Sequence, residues 1–388
     1  MSREPAITER LRWVGDLDED SPTLGLPVLE GVRKAILYRP GAGDDTYSHH
    51  AYVAFHRGVL YVIWSNHARD EDASGQHVRF RSSSDGGLTW QPPAVLFPGH
   101  DCVRIHAEMD TSRDRILIAN GFARVSDTLY AVVEAHVLDQ QRGFGRLARA
   151  IGGERGPGEI FWLVNTPPSP IPGFPTYPDG GGPAFAETAA AINAWLAQPE
   201  HWPSWEFLHH TDALLSDDGR QLCEPTTAWR CAGGGRLRIW RDLSGESRSQ
   251  YVQRSDDGGV TWQTPTRASF PDAYSRTAAG NLPDGTAFII NNPAHKRRDP
   301  LVISLAADGV NFDQHAVIAH SAPSRRFEGR CKNLGFQYPY ATTVGETLWV
   351  AYSVNKEDIE VVEVPLNALT TMMRAGEVSH PPRRKGSP

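Results

Sequence analysis

His50, His106, Glu224, Arg276 and Tyr338 are side chains that move protons or hold anions, and they share one recurring position in the sequence. His50 precedes Trp64, His106 precedes Asn120 and Tyr338 precedes Tyr352 by the same 14 residues; Glu224 and Arg276 fall in the same slot once short turn insertions are allowed. Each begins an apolar run that turns back into a second one. If these runs repeat around an axis, the five side chains converge on it. Crowding imidazole, carboxylate, guanidinium and phenol is costly unless something binds them, so the register points to a site with His50, His106, Glu224 and Tyr338 as its proton-transfer groups. His49 is a further candidate. Adjacent strand residues face opposite sides, which leaves open whether His49 or His50 enters the site.

A second ring of candidates surrounds the first. Loops returning from the second run supply Asn66, Arg124, Arg241, Asn292, His295 and Lys356, while Arg330 and Lys332 precede the last inner run and Tyr340 lies within it. The net charge is −7 and the pI near 6.1, so this local excess of cations and amides favours an acidic oligosaccharide, whereas no broad basic field exists for nucleic acid. Elimination next to a uronic acid would use Arg276, Arg330 or Lys332 on the carboxylate, His50 or His106 as base and Tyr338 or Tyr340 as acid. Hydrolysis calls for a carboxylate pair or a histidine acting through water, and Glu224 is the only inner-strand acid, which tilts the reading slightly toward a lyase. Cys102, Cys223, Cys231 and Cys331 are scattered, and no zinc or EF-type motif is present. No metal or other cofactor is expected.

The elements that must position these residues are short strands. Ser83-Ser84-Asp85-Gly86-Gly87-Leu88-Thr89-Trp90 recurs as Ser255-Asp256-Asp257-Gly258-Gly259-Val260-Thr261-Trp262, and Ala307 to Phe312 is a degraded third copy. In such a turn Ser and Asp bond local amides, Gly supplies φ > 0 and Trp plugs the layer beneath. Paired strands recur near His50/Val59, His106/Ile116, Glu224/Leu237, Arg276/Ala287 and Tyr338/Leu348. This is an all-β pattern, read as a single β-propeller of six or seven four-stranded blades over residues 1–380. A strand near Val32 to Tyr38 would complete the last blade. Residues of about 140–219 form an insertion with a helix over Ala184 to Ala197, and 381–388 form a disordered tail.

The two Ser-x-Asp-x-Gly-x-x-Trp turns and the Tyr338-Pro339 strand resemble the Asp-box (BNR) sialidase-like superfamily. The segments Tyr47-Ser48-His49-His50, Arg297-Arg298-Asp299-Pro300 and Tyr352-Ser353-Val354-Asn355-Lys356-Glu357 are similar to propeller α-L-rhamnosidases and rhamnose–glucuronate lyases. The first likeness implies an arginine triad on a substrate carboxylate and a Tyr–Glu pair that attacks, with His50 standing where a first-strand arginine is expected. The second implies a key histidine, matched by His49 or His50.

The function expected is therefore cleavage of a glycosidic linkage at or next to a uronic acid. A sialidase-type exo-glycosidase and a non-catalytic glycan-binding propeller are the alternatives. The charged N-terminus and the lack of a long apolar run lead us to expect no membrane partner and a cytoplasmic protein, as a monomer or small homo-oligomer. If the register is right, His50→Ala and Arg276→Ala each lower turnover at least ~10²-fold at unchanged thermal stability, while His56→Ala, at the far end of the strand, has little effect on rate. Equal, mild effects at all three positions would make the axis structural only.

Overall fold

Middle strands such as Val59–His67 and Leu301–Ala306 are buried almost throughout, because each lies in a sheet covered on both faces. This explains why they read as continuous apolar runs rather than alternating ones. The computed structural model describes residues 11–99, 116–136, 144–153, 156–164, 166, 175–201 and 214–379. Among these, no helix is long and apolar enough to cross a membrane.

Five sheets are present among the described residues, antiparallel except where Arg12–Trp13 joins the third in parallel between Thr266–Pro271 and Asn311–Phe312. The first comprises Tyr47–His56, Val59–His67, His77–Ser83 and Ala94–Phe97; the second comprises Ile116–Val125, Thr128–His136, Phe144–Ile151 and Ile160–Val164. In the third, Arg236–Asp242, Ser249–Ser255 and Thr266–Pro271 follow an inner strand split into Gln221–Cys223 and Trp229–Arg230. The fourth is Ala278–Asn281, Ala287–Asn291, Leu301–Ala306 and Gln314–Ala319. The fifth is Phe336–Val344, Thr347–Val354, Asp358–Pro365 and, antiparallel to the last of these, the N-terminal Arg33–Tyr38. Thus the early strand does complete the last sheet.

Inner strands lie side by side around a common axis: Ile116–Val125 contacts Tyr47–His56, which contacts Phe336–Val344, then Ala278–Asn281, then Trp229–Arg230. Apolar layers fill the spaces between neighbouring sheets. Tyr52, Ile63 and Phe97 pack on Leu117, Val133 and Trp162, while Val53, Val62 and Trp64 pack on Trp349, Ala351 and Val361.

Three sequence expectations are corrected. Ile116–Val125 is an inner strand, so the expected pairing of an inner run at His106 with a second run at Ile116 is displaced by one strand, and His106 itself lies outside the described residues. The run from Glu224 to Trp229 is not one strand. A helix at Leu366–Ser379, with Leu369, Met372 and Met373 on the fourth- and fifth-sheet core, was not foreseen although its apolar spacing was visible. The expected helix in the insertion is present as Ala186–Leu196.

The repeated turns work through their side chains. Ser83 accepts from the Gly87 amide at 2.8 Å and Asp85 from Thr89 at 2.9 Å; Ser255 and Asp257 do the same for Gly259 and Thr261. Gly87, at φ +79°, would drive an added Cβ to 2.5 Å from the Trp349 ring, so glycine is required there. A further turn, Ser216 to Arg220, uses the same Ser and Asp bonds and escaped the sequence search because its Trp is missing. Trp90 and Trp262 are half-buried rather than core plugs, and Arg238 stacks 4.2 Å above Trp262. Their replacement by Ala is therefore expected to cost about 1–2 kcal/mol, below the ~3–5 of a fully buried aromatic. Denaturant midpoints measure this, and an unchanged midpoint would show the turns carry no packing.

Candidate active site

In the inner strands a single residue breaks the ordinary alternation. His49 pairs with Ser65 but Tyr52 with Ile63, and Gln337 pairs with Ser353 but Tyr340 with Ala351, so each strand holds one extra residue at this level. The third sheet repeats the bulge, since Cys223 pairs with Arg241 while the Thr226 amide bonds Ile239. The residue after the last regular pair is left-handed in all three, with φ of 52° at His50, 51° at Glu224 and 53° at Tyr338. A bulge of this kind re-aims a side chain, and here it turns three of them to the axis. It also resolves the His49/His50 alternative: both rings flank Tyr338, with centroids 4.3 Å and 5.5 Å from its ring. In the second sheet the corresponding bulge falls at Asn120-Gly121, and Asn120 donates to Glu134 at 3.2 Å.

At the centre the Tyr338 hydroxyl donates to Glu224 Oε1 at 2.7 Å. Glu224 Oε2 meets Arg241 Nε as an ion pair at 3.0 Å, without the alignment of a hydrogen bond. Burial pushes the Tyr338 hydroxyl well above its ordinary range, with Arg241 and Arg298 pulling it back and Glu224 adding to the rise. Burial opposes the charge of Arg241, but Glu224, Tyr338 and Cys223 together outweigh it and raise that pKa. The Cys223 thiol, which accepts from Arg241, is pushed up to about 11, mainly by burial, and stays protonated.

Arg298 was not singled out from the sequence, because it sits outside the recurring slot. Its guanidinium donates to the Gln337 side chain and to Tyr274 O at 2.8 Å and stands over the Tyr338 ring at 5.8 Å. Glu71 was missed as well. It lies on the loop from the second to the third strand of the first sheet, where Asp70, Glu71 and Asp72 form an acidic run. Tyr47 donates to it at 3.0 Å, Lys356 pairs with its other oxygen, and the Nε2 atoms of His49 and His50 lie 4.0 and 3.7 Å from Oε1. His49 Nδ1 bonds Ser353 at 2.7 Å and His50 Nδ1 bonds Ser65 at 3.2 Å. Burial, reinforced by His50, Lys356, Arg298 and Arg276, lowers His49 well below the usual histidine range, so it is neutral at neutral pH.

Other predicted residues fall elsewhere. Arg276 is wholly buried against the Tyr338 ring and donates to the Tyr52 hydroxyl at 2.9 Å, so it is held by protein rather than open to a ligand. Lys332 is buried on Thr46 O at 3.0 Å, Asn66 on Tyr47 O and Asn292 on Pro300 O, all three as scaffold. Arg330 is exposed on the rim, its amide held by Asp70, and His295 is half-buried on the loop after Ala287–Asn291. Arg124 was placed with the site by the displaced register, and Tyr340 as the alternative acid on the strand of Tyr338. They line a cavity of about 840 Å³ at the other end of the inner strands, with Phe55 and Thr343.

Asp272 completes the surroundings. It is buried, accepts from the Tyr274 amide at 3.1 Å, and burial lifts it to about 7 against the pull of Arg241. A carboxyl raised on folding adds stability below its unfolded pKa that is lost as pH climbs to the folded value. Asp272→Asn keeps the shape without the charge. Relative to the unaltered protein, the variant is expected to gain melting temperature between about pH 5 and about pH 8; a constant difference would contradict the assignment. Arg276→Ala, by contrast with the sequence expectation, should lower stability, since it removes one of the largest wholly buried side chains.

Residues 191–350 match a family model described as a BNR repeat-like domain. No curated protein matches the sequence. Among solved structures, a sialidase is similar with a TM-score of 0.74 and 22% identity, covering 92% of this chain and 35% of its own length. The chain thus spans about a third of that protein. Trypanosoma rangeli sialidase in complex with sialic acid is similar at a TM-score of 0.52 and 11% identity, with 90% of this chain and 61% of that one covered. The intramolecular trans-sialidase from Ruminococcus gnavus is similar at 0.53 and 10%, with 86% and 97% covered. Residues 191–350 thus resemble a BNR repeat-like domain, and the chain is similar in fold to these sialidases.

Proposed function

We propose that the protein is a glycoside hydrolase that removes a carboxylate-bearing sugar by double displacement on Tyr338. The observation that carries this is the 2.7 Å bond from the Tyr338 hydroxyl to Glu224, with Arg241 and Arg298 beside it. Tyr338 Oη attacks the anomeric carbon while its proton passes to Glu224 Oε1. The leaving oxygen takes a proton from a water held on the His50–Glu71 side. The hydroxide left by that water then attacks the same carbon, Glu224 returns its proton to Tyr338, and the sugar is released. Passing the charge from Glu224 through a phenol avoids driving an anionic nucleophile at a centre next to the substrate's own carboxylate. Arg241 and Arg298 are the cations for that carboxylate.

The tilt toward elimination rested on Glu224 being the only acid near the axis. Glu71 supplies a second one from a loop, so the argument for a lyase loses its ground. The sialidases of like fold add that a sugar acid suits such a funnel, and the T. rangeli structure holds sialic acid.

A panel of aryl sialosides, uronic-acid oligosaccharides and rhamnose-capped uronates tests the reading. Tyr338→Phe and Glu224→Gln are each expected to lower kcat at least ~10²-fold at near-constant melting temperature, with His56→Ala close to the unaltered rate. Cleavage that yields an unsaturated uronate, seen by its ultraviolet absorbance, would replace hydrolysis with elimination. Glycan binding without turnover across the panel would leave a recognition module.

A further inference from the structure

We propose that His49, His50 and Glu71 form a binding site for one divalent transition-metal ion of the Zn²⁺ class, set beside Tyr338. One ring nitrogen from each of His49 and His50 and one Glu71 oxygen all lie within 4.8 Å of one another. The individual separations from Glu71 Oε1 are 4.0 Å and 3.7 Å. Two ligand atoms bound at about 2.1 Å to one ion stand roughly 3.4 Å apart at a tetrahedral angle and up to ~4.2 Å apart when opposite. The separations of Glu71 from His49 and His50 already fall in that range.

The second observation is the state of His49. Its side chain is wholly buried, and Nε2 has no hydrogen-bond partner. Nδ1 lies 2.7 Å from Ser353 Oγ, and that hydroxyl has Gln337 O as the acceptor for its own proton at 3.5 Å. Ser353 therefore accepts from Nδ1–H, which leaves Nε2 as a bare lone pair 4.0 Å from a Glu71 oxygen. Two electron-rich atoms facing each other in this way call for a positive charge between them. Serine hydroxyls behind both imidazoles are the outer-shell partners that orient metal-ligating histidines. Tyr47, donating to Glu71 at 3.0 Å, fixes the carboxylate in the same manner.

The donor set selects the ion. Two imidazole nitrogens and one carboxylate oxygen suit Zn²⁺, Co²⁺ or Ni²⁺ and are a poor match for Ca²⁺ or Mg²⁺, which prefer oxygen. Three protein ligands leave a position open toward the funnel. Lys356 occupies the other oxygen of Glu71, and Arg276 and Arg298 contribute positive field at His49, so the ion binds more weakly than in a site without such neighbours. An anion in the funnel offsets that field, and metal and sugar acid are expected to bind cooperatively. The role of the ion rests on the hydrolase reading: it puts positive charge where the first inner strand carries histidines instead of an arginine.

The test uses the full chain, stripped with a chelator and titrated with ZnCl2 by calorimetry, alongside Glu71→Gln and His50→Gln. One equivalent of Zn²⁺ per chain and a rise in melting temperature are expected for the unaltered protein, with affinity at least ~10-fold weaker in each variant. Glu71 stands on a loop with part of its side chain in solvent, so Glu71→Gln decides the matter even if a histidine variant fails to fold. No stoichiometric binding, or binding unchanged in Glu71→Gln, overturns the proposal. Because the readout needs no substrate, the metal site can fail while Tyr338-dependent cleavage stands, and the reverse.

Discussion

Holding an L-residue in a sparsely populated left-handed conformation costs about 1–3 kcal/mol, and the inner strands accept it at His50, Glu224 and Tyr338. An unbroken strand would send alternate side chains into the two apolar layers on either side. The extra residue interrupts that alternation just where the strands approach the axis. Tyr338 then reaches Glu224 across two sheets, and His49 and His50, though adjacent, both stand beside Tyr338. The apolar packing between sheets over-determines the backbone enough to keep these residues strained.

Charge is arranged with equal economy. Each carboxylate facing the centre has a cation on one oxygen and leaves the other for chemistry: Arg241 on Glu224 and Lys356 on Glu71. The cations outnumber these carboxylates once Arg276 and Arg298 are added, which gives an acidic protein a positive interior at one point. Arg276 contributes while held against the tyrosine rings. Its burial without a carboxylate partner among the described residues makes it the most costly of these groups, and its place beneath the rings of Tyr52 and Tyr338 is what keeps that cost tolerable.

Much of this was legible in the sequence, for reasons that are physical. The Ser-x-Asp-x-Gly turns are local, so their residues appear in a fixed window, and the apolar runs announce the sheets. His50, Glu224 and Tyr338 were found because a repeated backbone geometry recurs at a repeated offset. Arg298 and Glu71 were hidden, since each reaches the centre from a loop whose length and path no periodicity records. Arg276 was found in the right place and given the wrong surroundings, because offset says nothing about whether protein or a ligand holds a side chain. The displacement at Ile116 arose where Ile116–Ala119 was paired with a presumed earlier strand instead of with Thr128–His136.

The strand Arg33–Tyr38 pairs with Asp358–Pro365, and the Arg33–Glu363 contact joins residues 330 positions apart. A ribosome making this chain delivers one half of that sheet long before the other. Until the second half emerges, the early strand carries unpaired amides and carbonyls, the kind of edge that recruits foreign strands. Contacts so distant along the chain also slow folding. A fragment halted before Asp358 would keep Phe336–Val344 and Thr347–Val354 but lose the one strand that joins them to Arg33–Tyr38.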